Sequence, residues 1–524
     1  MLPSYRVEGA GKRAETWSLT FDSTITIFIF ILCGTPPNFR VWPGFDQMFG
    51  CHCLSDCGGM LVPNTSTPGS TAASGRAPRF RSWWNQLMAV KPGEWRPLLW
   101  SFSYFFALLC GYYILRPMRD EMGIAGGVEH LQWMFSGTFL VMLAVVPFFG
   151  WLTRHFPPRR FLPYVYYFFI ANLLLFFALF RSDINHVYVA RAFFIWVSVF
   201  NLFIVSVFWS YMADIYSNAQ AKRLFGMIAA GGTAGALAGP VLTVTLVLPL
   251  GPNNLLLISI IFLGLAILCI HRLTAWRQSL VAPLSAAGLD RRTELEFPAD
   301  KPLGGSVLAG VRLVAQSPYL IGICTLMLLY TTLATFLYFQ QAYIIREHFA
   351  DPAKRTALFA AMDLAVNGLT LAIQLFLTGR IVQYIGLGWA LAVIPLLLAA
   401  GFLLLGVIPA LWVVVAVQVL RRAGNYAIMR PGREMLYVVL SKEEKYKAKN
   451  FIDTVIYRGG DAVSAWVYAG MLALGLSGAG IALVAVPLAC LWAWISFRLG
   501  NRQEQIGAGE QVAKSPVQHI ENRK

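Results

Sequence analysis

A chain of 524 residues that is 57% hydrophobic and 13% charged falls well below the roughly 25% charge of a soluble globular protein. Its net charge of +16, from 42 basic against 26 acidic residues, raises the question of a nucleic-acid partner, and the placement of the basic residues answers it below. Long apolar runs, with no ten-residue segments of strict alternation, exclude most soluble enzymes and an outer-membrane barrel, and predict an all-α polytopic membrane protein.

In chain order, residues 1–87 stand apart as a disordered or misassigned extension, with Met88 as the expected start. Thr24 to Cys33 is apolar for too short a stretch to span, and Cys51-His52-Cys53 with Cys57 fits no paired-ligand zinc spacing, so no metal site is expected. Six spans follow in residues 88–271: Pro97 to Met118, Leu131 to Trp151, Phe161 to Phe180, Val187 to Met212, Leu224 to Leu248 and Asn254 to Ile270. Residues 272–318, polar and rich in Pro and Gly, form a cytoplasmic linker. Six more spans occupy 319–498: Tyr319 to Ile345, Thr356 to Thr378, Trp389 to Val407, Leu411 to Met429, Phe451 to Leu476 and Ala479 to Phe497, before a cytoplasmic tail at 499–524. Twelve helices in two six-helix halves are therefore expected.

From Met88 onward the basic residues crowd into the loops on the side from which the first span enters. That asymmetry makes this side cytoplasmic, so the positive charge records topology and not a nucleic-acid footprint. Ala221-Lys222-Arg223-Leu224 opens the fifth span and Ala448-Lys449-Asn450-Phe451 the eleventh, while Gly150 and Gly379 open corresponding turns at nearly the same offset, which suggests duplicated halves. Gly231, Gly235 and Gly239, spaced by four in a hydrophobic run, form a close-packing helix face and not a phosphate loop. Tyr164, Tyr166, Tyr167, Phe168 and Phe169 read as interfacial belt and lipid contact.

An ionised side chain at the bilayer centre costs at least about 2.5–3.5 kcal/mol, so intramembrane charges mark wet cavities or pairs. At the outer end of the first span lie Arg116, Arg119, Asp120 and Glu121, beside Pro117, which should kink or end the helix. Arg116 and Asp120 stand four apart and make a candidate ion pair; the alternative is an arginine that faces the cavity and grips an anionic group. Asp363 is the lone charge of the eighth span, with Asn367 and Gln374 along the same face, and is either a partner for a cation or a coupling carboxylate. Arg421 and Arg422 interrupt the tenth span; one should face the cavity and pair with Asp363 when the site is empty. Arg458 and Asp461 are three apart in the eleventh span, with Asp453 nearer its start, and this charged stripe is assigned to the translocation path. Lys445, Lys447 and Lys449 form a cytoplasmic basic loop suited either to anion attraction or to lipid headgroups.

The architecture resembles the major facilitator superfamily. Of that family's marker in the second-to-third loop, Gly150 and the pair Arg159-Arg160 are present, and Arg154 stands where an acid is usual. A sharper resemblance is to the ATP:ADP antiporter family of nucleotide translocases. It is carried by Ile114-Leu115-Arg116-Pro117-Met118-Arg119-Asp120, by Phe208-Trp209 with Ala221-Lys222-Arg223, and by Arg433-Glu434-Met435-Leu436-Tyr437 followed by Glu443, Lys445, Lys447, Lys449 and Ile452-Asp453. Arg119 stands where those translocases carry Lys, which keeps the charge and changes its shape.

The resemblance implies a secondary transporter that moves an organic anion by alternating access, with nucleotide exchange as the sharper form. Proton- or sodium-coupled transport of another solute, or a non-transporting receptor with the same fold, are the alternatives. No Walker loop, hydrolase elbow or paired-cysteine redox motif occurs, so neither enzymatic activity nor a cofactor is expected. The expected partners are membrane lipids and a small anionic solute, for a monomer in the inner (plasma) membrane.

Overall fold

The computed structural model describes residues 90–521 except 92, 156–157, 183–185, 287–312, 441–447 and 450. The expected N-terminal extension, its Cys-His-Cys segment and most of the linker lie outside these residues. What is described is almost entirely helical.

The first half comprises α1 (Trp95–Ala125), α2 (Leu131–His155), α3 (Pro158–Leu179), α4 (His186–Ile215), α5 (Asn218–Leu250) and α6 (Leu255–Ala286). The second comprises α7 (Pro318–His348), α8 (Pro352–Phe376), α9 (Thr378–Val407), a composite α10, a composite α11 and α12 (Gly478–Glu521). α10 runs as Leu411–Gly424, a π-helical turn at Asn425–Met429 and Arg430–Leu436; α11 opens on a second π-turn, Ile452–Ile456, and continues through Tyr457–Ala473. Among the described residues ten helices are long and apolar enough to cross a membrane. The two composite helices, each containing a π-turn, complete the order in which the sequence places its segments.

Three boundaries differ from expectation. Pro117 neither ends nor breaks α1, which runs on to Ala125; within a membrane helix, neighbouring groups can compensate the donor that proline lacks. α6 continues through the first part of the expected linker to Ala286, and α12 through the expected tail to Glu521. Hydropathy falls in both stretches while the helix runs on, past Pro283 in α6 and Pro516 in α12, so the apolar run ends before the helix does.

The glycine ladder sets the position of α1. A methyl group added at Gly231 or Gly235 would strike the carbonyl oxygens of Phe102 or Phe106, and one at Gly239 would lie 2.7 Å from the Cys110 carbonyl. Only glycine lets the α5 backbone approach α1 so closely. Tyr164, Tyr167 and Phe168 are exposed on the outside of the bundle, whereas Tyr166 and Phe169 are buried. The Tyr166 hydroxyl lies 2.6 Å from that of Tyr104.

One buried core runs from Val90 to Leu273. A second fills α7 to α12 and also takes in Ile124, Val128, Leu131, Met134 and Phe194 from the first half. The two halves are thus joined where α1 and α7 end and α2 and α8 begin, which we call the far end.

Candidate functional site

The site lies where α1, α8 and α10 meet. Asp363, on α8, has a side chain only 1% exposed and is held from two sides. Arg422 of α10 donates to its Oδ1 at 2.5 Å, and the Arg116 guanidinium of α1 lies 3.7 Å from its Oδ2. A carboxylate so deeply buried needs cations against it to offset its lost hydration. The pairing therefore joins a cation of the first half to an acid of the second.

The expected partner of Asp120 is replaced. Arg119, not Arg116, holds Asp120, at 2.6 Å, and Tyr338 of α7 donates to the same carboxylate at 3.2 Å. Arg116 has turned across the interface to Asp363 instead, which spacing along one helix does not reveal. Glu121 is fully buried and receives Arg355 of α8 through Nε at 3.2 Å and a terminal nitrogen at 2.7 Å, both on Oε1. Arg355 also donates to the Phe349 carbonyl at 3.3 Å.

The remaining predicted residues spread towards the opposite end. Arg421 donates through Nε to Gln418 at 3.0 Å, while Arg422 takes the carboxylate. Arg458 and Asp461 approach to 4.0 Å with the arginine 37% exposed, and the Arg458 guanidinium lies 5.2 Å over the Tyr457 ring. Asp453 lies 3.6 Å from Arg433. Lys449 is engaged by Glu434 at 2.8 Å, so it is a partnered cation and not a free one in a solvated loop. Lys445 and Lys447 lie outside the described residues, as do the side chains of Arg154, Arg159 and Arg160.

Sequence reasoning passed over several residues at this interface. Arg355 stands one position before the span expected from Thr356; Arg346, at the end of α7, pairs with Glu129 between the halves. Arg430 sits 5.2 Å over the Tyr426 ring, next to the π-turn of α10. The π-turn itself has a readable cause in Pro431, which lacks the N–H that an α-helix would direct to Ala427.

At the far end the halves are also joined by Trp466 of α11, whose indole donates to Ser136 at 2.9 Å and packs edge-on against Trp133 at 4.7 Å. Midway, Asn367 donates to the Ala236 carbonyl at 2.7 Å. The inter-half bonds described above lie at the middle of the bundle or beyond it, towards the far end. Among the described residues no group of three or more metal-ligating side chains converges.

Comparison with known proteins places this architecture. Residues 399–500 match the TLC ATP/ADP transporter family, and residues 98–445 match the Major Facilitator Superfamily. The ADP,ATP carrier protein 1 of Chlamydia trachomatis is 24% identical over 323 residues, covering 55% of this chain and 60% of the carrier. The protein of the same description from Chlamydia muridarum gives the same identity and coverage. The chain thus spans 60% of the length of these curated relatives. Among solved structures, the POT family transporter PepTSo aligns with a TM-score of 0.52 at 14% identity, over 78% of this chain and 98% of that one. A peptide transporter POT in complex with alafosfalin aligns at 0.51 and 14% identity, over 77% and 95%. These likenesses establish the fold, and the match over residues 98–445 shows that this membrane transporter belongs to the Major Facilitator Superfamily.

Proposed function

We propose that the protein exchanges nucleoside phosphates, ATP against ADP, by alternating access at the site centred on Asp363. The observation that carries this reading is the clamp of one buried carboxylate between Arg116 and Arg422, contributed by opposite halves. Around it the named groups are unequal in charge: Arg116, Arg421, Arg422 and Arg458 stand against Asp363 and Asp461. Such an excess of guanidinium suits a multiply charged phosphate, which arginine grips through paired N–H donors.

Asp363 acts as the internal stand-in for the substrate. When a phosphate enters, it takes over Arg422 and Arg116 and releases the carboxylate; when it leaves, Asp363 neutralises them again. In the empty site the Arg116–Asp363 pair ties the two halves together, so the carrier recrosses poorly until an anion takes its place, and exchange follows. The matches to ADP,ATP carriers and to the TLC ATP/ADP transporter family over residues 399–500 support the nucleotide as that anion. The loop charge asymmetry supports a transport core with both ends cytoplasmic, and we read it as a monomer of the plasma membrane with residues 88–271 and 319–498 as its two halves.

The test is uptake of labelled ATP by liposomes containing the purified protein, with and without internal ADP. Uptake is expected to require internal ADP, and Asp363→Asn should bind ATP while losing that requirement, because no carboxylate then ties Arg116 across the halves in the empty carrier. ATP uptake indifferent to internal ADP in the unmodified protein refutes exchange.

A further inference from the structure

At the far end, between the halves, lies a cavity of about 310 Å³. Its walls come from both sides: Glu129 and Gln132 from the first half, and Phe339, Tyr343, Tyr468 and Ala469 from the second. It stands apart from Asp363 and from every arginine assigned to the anion site. Its size reaches the lower end of ordinary small-molecule pockets.

We propose that this cavity is a second binding site, for a small organic cation, and that its occupant holds the far end closed. The chemistry of the lining selects the ligand. Phe339 and Tyr468 meet edge-on at 4.9 Å between centroids, and Tyr343 lies alongside Tyr468 at 6.5 Å. Three rings in mutual edge-on and stacked contact line the cavity, and Glu129 is the only ionisable acid or base among the lining side chains apart from the tyrosines. Aromatic rings beside one carboxylate suit an ammonium group.

The protein already uses this chemistry at the rim. Arg346 lies 5.5 Å over the Tyr343 ring and binds Oε1 of Glu129, with both charged side chains partly open to solvent. A carboxylate has two oxygens for cationic neighbours, so an entering ammonium rests by charge attraction against Oε2 of Glu129 while Arg346 keeps Oε1. Gln132 is held by its own amide, which donates to the Glu129 backbone carbonyl at 2.9 Å and fixes the loop that carries the acid. The site is therefore assembled without the ligand.

The coupling to conformation follows from who supplies the walls. Separation of the halves at this end carries Glu129 away from the three rings, so the cation binds one state and not the other. A ligand with that preference shifts the population towards the state it fits, and anything that opens the far end expels it.

The probe is benzyltrimethylammonium, titrated onto the full-length protein in detergent, with heat of binding and melting temperature as readouts. Saturable binding that raises the melting temperature is expected. Glu129→Gln should weaken it roughly tenfold. Ala469→Leu, which fills the cavity without touching the charge, should abolish binding while the unliganded protein elutes and melts like the parent. Neopentylbenzene, the neutral isostere, should bind more weakly than the cation. No saturable binding, equal binding of the neutral isostere, or unchanged binding to both variants overturns the proposal.

Discussion

Removal of Arg355 should open the far end. Glu121 has no exposure and accepts Arg355 through Oε1 alone; its Oε2 is buried with no hydrogen-bond partner. In Arg355→Ala the carboxylate is left uncompensated inside the closed interface, whereas with the halves apart it meets water. Breaking a buried pair by deleting one partner costs about 3–5 kcal/mol. With only one oxygen engaged the lower figure is the appropriate one, and about 3 kcal/mol corresponds to a shift of roughly 150-fold in the closed-to-open ratio. The assay is the rate at which a membrane-impermeant maleimide labels a cysteine placed at Met122, a residue buried beside this pair. Labelling should accelerate by about two orders of magnitude in Arg355→Ala and return most of the way in Glu121→Leu with Arg355→Leu, where no orphaned charge remains. Equal labelling of parent and single variant, or a double variant as open as the single one, refutes the assignment of this pair as a closure of the far end.

Two further outcomes test the scaffold. Gly235→Ala should lower the melting temperature by an amount equivalent to about 1–3 kcal/mol, because its methyl group runs into the backbone of α1 and not into a flexible side chain; Gly264→Ala, where no atom lies within 4 Å, should not. At the start of α1, Glu94 is bound by Arg223 at 2.9 Å and by Gln220 at 3.1 Å. The Arg223 hydrogen bonds, with smaller help from the Lys91 backbone and Gln220, outweigh burial and lower its pKa from 4.5 to about 2. A carboxylate depressed on folding stabilises fully above pH 4.5, and that contribution disappears as pH falls through about 2. The melting temperature of the parent should therefore fall more steeply between those values than that of Glu94→Gln.

What the sequence conveyed was what local pattern controls. Apolar length located the membrane segments, and the four-residue glycine spacing identified the face of α5 that meets α1. Charge partners were another matter. Arg116 and Asp120 had the spacing of a helical pair, yet Asp120 is held by its neighbour and Arg116 by a residue on α8. Glu121 and Arg355 stand 234 positions apart, and nothing near either one announces the other. Arg421 and Arg422 are equivalent in the sequence, and only the rotation of α10 directs Arg422 onto Asp363. A sharper reading would have asked which charge of the second half answers each acid at the end of α1, since a buried Glu121 demands one.

The two π-turns both fall in the second half, in α10 and α11, while α1 and α5 of the first half are locked backbone to backbone. A π-turn carries one residue beyond the α-helical repeat, and absorbing or releasing that residue swings everything past it by about 100° around the helix axis. At Asn425–Met429 such a register change turns Arg430 and Arg433 relative to Arg421 and Arg422 without bending the helix at either end. The two halves are then built unlike: in the first, α1 and α5 are locked to each other, and the second contains a screw thread.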